Sequence, residues 1–367
     1  MNVKRSFVLA GTFVSLIFAT ALAQTTRQAP GKPMFTAIRR GNPAQAIKAA
    51  AAGANVPLWS SSFNYQGTNY PFTMVGTDPS TTNVTTNIPL VIIPVKFKFG
   101  SVVIAPGQTA CNDTKTPIYR VKNSPLLKSF PFVAGTTNVG TTQYIDAFQR
   151  ASFWNSVGSV SPNYHVKFSP ISQKTVQTIV VPPAVGGILG TFCGSKKVGA
   201  VDINYFDAIA NNLITTLAIP PTSLALFLDY DVFWTSGGGC CILGYHSTTV
   251  SNQTYAVASY SDPGIFGVPI QDIHALSHEL GEWMDDPLIN NSTPAWGNIG
   301  QVSGCQGNLE VGDPLTGTAF NTVLGGFTYH PQELVFFSWF SRQSPSIAVN
   351  GWYSFKNSFT TPAAACP

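Results

Sequence analysis

Charge is scarce in this chain. Only 10% of its 367 residues are charged, and the 20 basic and 16 acidic side chains leave a formal net charge of +4. So thin and scattered an excess argues against a nucleic-acid partner, which needs a clustered basic face. Beyond the N-terminus no apolar run approaches the length that crosses a bilayer, so no membrane span is expected. No Cys-x-x-Cys pair occurs, which disfavours a thiolate metal site, and no Gly-x-Ser-x-Gly elbow occurs, which disfavours a serine hydrolase. No repeat of fixed period is visible.

The N-terminus is the apolar exception. Lys4 and Arg5, the run Phe7–Ala21 and the small-x-small Ala21-Leu22-Ala23 read as a secretory signal peptide over residues 1–23. The mature protein is therefore expected to be secreted, extracellular or periplasmic. Six cysteines in an oxidising compartment predict up to three disulfides, with the adjacent Cys240 and Cys241 expected to take different partners. Residues 24–55, with Pro30, Pro33 and AQAIKAAAAGA, read as a linker or pro-segment. Residues 56–367 suffice for a single domain or two lobes.

Short apolar runs broken by turn residues predict strands at 70–75, 88–99, 165–169, 175–181, 223–234, 242–249 and 254–260. Helical spacing predicts helices over 142–157 and 206–217. Asp146 and Arg150, an i, i+4 pair, read as a solvated surface bridge. Aromatic segments at 334–340 and 350–355 read as strand or core, with their tryptophans as packing. The mixture makes the fold class α/β or α+β.

Against that background one stretch stands out. IQDIHALSHELGEWMDDP, residues 270–287, gathers Asp272, Glu279, Glu282, Asp285, Asp286, His274 and His278. Plotted at roughly 100° per residue, Ile273, Leu276, Leu280, Trp283 and Met284 form a core-facing stripe, while His274, His278, Glu282 and Asp285 form a column opposite. Pro287 stops the helix.

His278-Glu279-Leu280-Gly281-Glu282 is one residue away from the His-Glu-x-x-His of zinc peptidases, where the first and fifth residues hold zinc and the second acts as general base. Here Glu282 replaces the second histidine, so zinc or another divalent cation is expected, with Glu279 as the catalytic base and His278 and Glu282 as ligands. The third ligand is expected from Glu310 or Asp313 in LEVGDP, or from His246 in GYHS. His274 would stand behind the ligands, and His165 and His330 read as satisfied histidines. The competing expectation is that the polar column is only the wet face of an amphipathic helix.

The second half resembles the plant phosphate-induced, or exordium-like, family. The likeness runs in order through Asp231-Val232, Gly244-Tyr245-His246, the His278–Glu282 pentad with Asp286-Pro287 and Trp296, Glu310-Val311-Gly312-Asp313, Phe320-Asn321 and Ser338-Trp339. Cysteine spacing departs from that family. What the resemblance implies is a secreted zincin-like domain, a mixed β-sheet with the HELGE helix packed on it, and a metallopeptidase-like site at His278, Glu279, Glu282 and Glu310 or Asp313. Two functions follow: a secreted zinc-dependent hydrolase acting on a peptide or protein substrate, or a non-catalytic extracellular binding or signalling protein with a structural metal.

Overall fold

A computed structural model describes residues 31–267 and 269–366. The signal peptide expected over residues 1–23 lies outside them. Eleven strands form one mixed sheet: β1 Met34–Ile38, β2 Thr85–Phe99, β3 Val102–Ile104, β4 His165–Gln173, β5 Gln177–Val180, β6 Gly186–Phe192, β7 Lys196–Asp202, β8 Leu224–Tyr230, β9 Val232–Ser236, β10 Gly239–Thr248 and β11 Thr254–Tyr260. The order across the sheet is β6-β7-β9-β10-β11-β8-β2-β3, with β1 on β10, and β4 and β5 on β2. The pairs β8–β11 and β8–β2 are parallel and β10–β11 is antiparallel. The structure is thus mixed α/β and mostly strand.

The sheet interior is apolar on both faces. Every residue of β8, LALFLDY, is buried, as a strand covered on both sides requires. Helices α1 Pro43–Ala51, α2 Tyr144–Ser152, α3 Ile203–Thr216 and α4 His274–Asp285 surround it. On one face Phe206 of α3 packs against Phe97, Phe227 and Trp234. Tyr245 of β10 meets Trp234 and Tyr255 there. Side chains alternate along a strand, so the next residue, His246, points to the other face, where α4 lies.

Several expectations are corrected. The 223–234 strand is two strands, broken at Asp231, whose φ of 52° cannot continue a pleat. The 142–157 helix is α2 followed by a single turn at Trp154–Val157. The segment 334–340 ends in a short helix, Phe337–Phe340, although its tryptophan packs as expected, with Trp339 edge-on to Trp296. Residues 34–51, read as part of a linker or pro-segment, contain β1, which joins the main sheet, and α1, whose N-cap Asn42 accepts from the amides of Ala44 and Gln45. The alanine-rich α1 buries only Ala46, so its sequence offered no large apolar face to tell a packed helix from a weakly helical lead-in.

Asp146 and Arg150 are buried, not solvated. Asp146 accepts from the Thr142 hydroxyl at 2.6 Å and the Val166 amide at 2.7 Å, and meets His165 at 2.7 Å. Arg150 donates to the carbonyls of Val139, Pro162 and Tyr164. Each is used to tie loops to α2, which is why helical spacing misrepresents the pair.

All six cysteines are bridged: Cys111–Cys193, Cys305–Cys366 and, against expectation, Cys240–Cys241. The peptide between the last two is cis, which draws their Cα atoms to 3.0 Å and lets the two sulfurs meet. Among the described residues no helix is long and apolar enough to cross a membrane.

Candidate metal centre

Helix α4 runs His274–Asp285 and stops at Asp286, immediately before Pro287. All of its residues are buried, so it has no wet face. His278, Glu279 and Glu282 face β10 and a loop that follows a hairpin, β12 Ser292–Ile299 and β13 Val302–Asn308. That loop carries Glu310, Gly312 and Asp313, the last opening a short 3-10 turn.

Two glycines permit the approach. A Cβ on Gly244 of β10 would lie 2.6 Å from Glu279 Cγ and 2.8 Å from its Oε1, so a side chain there would push Glu279 off the sheet. A Cβ on Gly312 would overlap the His278 ring.

The expected site residues converge. His278 Nε2 lies 2.9 Å from Glu282 Oε1 and 3.6 Å from Asp313 Oδ1. His246 Nδ1 lies 3.3 Å from Glu279 Oε2 and 3.8 Å from Glu282 Oε2. Ligand atoms of His278, Glu279 and Glu282 fall within 4.8 Å of one another, as do those of His246, Glu282 and Glu310. Glu282 belongs to both groups, and either could hold a metal ion.

Hydrogen bonds set the tautomers. Gln332 Nε2 donates to the Gly312 carbonyl at 2.5 Å, which turns its Oε1 toward His278 Nδ1 at 3.0 Å. A carbonyl oxygen only accepts, so Nδ1 bears the proton and a neutral ring presents the Nε2 lone pair to Glu282. His246 is held likewise: Nε2 meets the Asp286 carbonyl at 3.2 Å, leaving Nδ1 toward Glu279 and Glu282.

Electrostatics press the same way. Burial lowers His278 to about 4 and His246 to about 3, so both rings are neutral near pH 7. Burial holds Glu279, Glu282 and Glu310 well above the ordinary carboxylate range; Glu282 adds to the push on Glu279 and Glu310, and Asp313 to that on Glu282. Asp313 is raised to about 6, again by burial, with His278 pulling it back. Among the described residues no lysine or arginine pairs with these carboxylates, and their only basic neighbours are the neutral histidines. Their other help is polar: the Gly312 amide donates to Glu282 Oε1 at 3.1 Å, Asn308 to Glu310 Oε1 at 3.3 Å, and Gln306 and Gln301 to Asp313. His278 Nε2 and Glu279 Oε1 have no hydrogen-bond partner.

The remaining histidines stand apart. His165 meets Asp146 and His330 meets Asp272 at 2.6 Å. His274 is buried one turn before His278, and its pKa is lowered to about 3 by burial. Gln332, Gln301 and Phe35 are the residues that sequence reasoning missed. Phe35 stacks flat on His278, centroids 3.6 Å and planes 15° apart. No spacing rule links residue 35 or 332 to residue 278, so no local signal marked them.

The fold and site thus define a mixed α/β protein with a buried cluster of carboxylates and imidazoles that could hold a cation. No protein-family model, curated protein or solved structure matches this chain.

Proposed function

We propose that this chain is a secreted zinc-dependent hydrolase of zincin-like architecture that acts on peptides, the reading its likeness to the exordium-like family also suggests. The carrying observation is the pair of contacts around Glu282. A neutral His278 turns its Nε2 lone pair on a Glu282 oxygen 2.9 Å away, and Glu310 brings a carboxylate oxygen within 4.8 Å of the same side chain. So many acceptors gathered in a buried site without lysine or arginine call for either shared protons or a cation between them, and a cation serves all of them at once.

His278 and Glu282 are ligands in this reading, with the third drawn from Glu310, which groups with His246 on the same Glu282, or from Asp313, 3.6 Å from His278. A mixed imidazole and carboxylate donor set suits zinc, and the acidic excess also admits a harder divalent ion. When bound, such an ion supplies Lewis acidity and lowers the pKa of water. Glu279 does the proton work: its carboxyl carries one proton at a time, either taken up at the unpartnered Oε1 or passed through Oε2 to the His246 Nδ1 that faces it.

The test is elemental analysis of protein purified without chelators. One equivalent of zinc or another divalent ion is expected in the wild type and in Glu279→Gln, and less than a tenth in His278→Ala and Glu282→Gln. Peptide hydrolysis should disappear in Glu279→Gln with metal retained. A wild type with no stoichiometric metal sinks the reading.

One observation favours the second reading, a non-catalytic binding protein with a structural metal. Phe35 lies over His278 and is 3% exposed, so the ring is covered as it stands. Metal retained in Glu279→Gln with biological function intact would select it.

A further inference from the structure

Resting on the metal-site reading, we propose that β1 is the resident occupant of a peptide-binding cleft. Once it is displaced, the cleft takes an extended peptide whose aromatic side chain sits where Phe35 now stacks on His278.

The cleft has the parts that bind an extended chain. β1 pairs in parallel with β10, Thr36 opposite Tyr245 and Ala37 opposite His246. Without β1, this side of β10 presents unpaired main-chain groups directly beside the site, an edge fit for strand addition. The register shifts between Met34 and Thr36, so the strand kinks at Phe35.

On the side away from β10, Gln301 holds both main-chain groups of Phe35. Its Oε1 accepts the Phe35 amide at 2.7 Å and its Nε2 donates to the Phe35 carbonyl at 3.0 Å. The same Nε2 donates to Asp313, which joins peptide recognition to the acidic wall. These contacts read only backbone and one aromatic ring, so another chain of the same shape could make them.

β1 contributes little side-chain burial for a strand so placed. It has five residues, of which only Phe35 is buried, and Met34 is 42% exposed. Its link to α1 is anchored beyond the strand, where Arg40 pairs with Asp207 and the Arg40 and Gly41 amides donate to Thr248 Oγ1, so the wild-type strand can be released only once that link is cut. Beside it a cavity of about 320 Å³ is lined by Phe35, Ala37, Gln301, Gln306, Glu310 and Asp313, giving a peptide room to continue past the strap.

The experiment inserts a recognition sequence for a site-specific protease between Arg40 and Gly41 of the full chain. The nicked protein is then titrated with a fluorescein-labelled peptide of residues 31–40, followed by anisotropy. The uncut chain is expected to bind none and the nicked chain to bind it. The same peptide with Phe35→Ala should bind at least about tenfold more weakly, since it loses the buried ring. An intact chain bearing Phe35→Ala gives a second reading and should take up the wild-type peptide without nicking.

If neither the nicked chain nor the intact variant takes peptide, or if the alanine peptide binds equally well, the proposal is overturned. Metal is measured on the same samples. Peptide uptake without metal leaves the cleft standing and sinks the metal reading, whereas bound metal without peptide uptake does the reverse.

Discussion

Gln332 Oε1 accepts the Nδ1 proton of His278 at 3.0 Å, and the other end of the same amide is tied to the Gly312 carbonyl. One side chain therefore fixes both the tautomer of the histidine and the loop that carries Asp313. Replacing Gln332 with leucine removes that orientation while keeping volume. We expect cation affinity to fall by about 10–100-fold with the fold retained, read by competition with a chelating indicator. Unchanged affinity would remove Gln332 from the site.

Cation removal should loosen the whole molecule, because the acidic cluster joins α4, β10 and the loop after β13. Saturation at 100 times Kd adds about 2.7 kcal/mol to the folded state. The melting temperature is expected to drop on treatment with chelator and to return on adding zinc. His278→Ala should melt at the same temperature with and without chelator.

Gly244→Ala tests how tightly α4 is laid on β10. The new methyl would meet Glu279 Cγ at 2.6 Å, in contact with a side chain buried on every side. Overpacking of this kind costs about 1–3 kcal/mol. The denaturation midpoint should fall, and any hydrolytic activity should fall further than the stability loss explains, because Glu279 is the group displaced. A variant with both properties unchanged would mean that α4 moves away freely.

Asp146→Ala distinguishes a buried network from a surface bridge. It strips the acceptor from Thr142, His165 and the Val166 amide and removes a negative charge near Arg150, which is itself bonded to backbone carbonyls. Leaving a buried donor unsatisfied costs about 1–3 kcal/mol, against well under 1 kcal/mol for loss of an exposed pair. Urea denaturation decides between them.

The pH dependence of stability has a testable sign at Asp229. Burial holds its carboxyl well above the usual range, against hydrogen bonds from Ser259 and the Val232 amide. Above the unfolded pKa of about 3.9 the folded state then binds more protons than the unfolded one, so stability falls as pH rises toward the folded pKa. Asp229→Asn removes that contribution. Its denaturation midpoint should therefore lose less between pH 4.5 and 8 than the wild type's, at constant cation. Parallel profiles would rule the assignment out.

Much of this organisation was legible because it is periodic. The α4 run showed its apolar stripe and polar column, and the long β2 and buried β10 and β11 showed as apolar runs between turn residues. The candidate ligands His278 and Glu282 sit one helical turn apart, so their neighbourhood follows from helix geometry alone. Glu310, Asp313 and His246 were legible only as candidates, since nothing in the local pattern measures a distance across 30 residues.

Other features had no local signature. Gln332 and Gln301 are ordinary amides in sequence, and Phe35 sits in a stretch whose composition reads as a lead-in. Asp146 and Arg150 have the spacing of a surface pair, and only the loops packed over α2 bury them. Cys240 and Cys241 bridge each other through a peptide conformation that composition does not disclose.

What the sequence determined by itself is the helix, its chemistry and the mixed class of the fold, because backbone hydrogen bonding and burial impose short periods on the chain. What only the tertiary structure decided is how that chemistry is enclosed: which carboxylates meet around Glu282, which amide orients His278, and that the polar column is buried instead of facing water, with Phe35 stacked on His278. Those relations join residues separated by up to 243 positions, as Phe35 and His278 are, and no short-range preference of the chain encodes them.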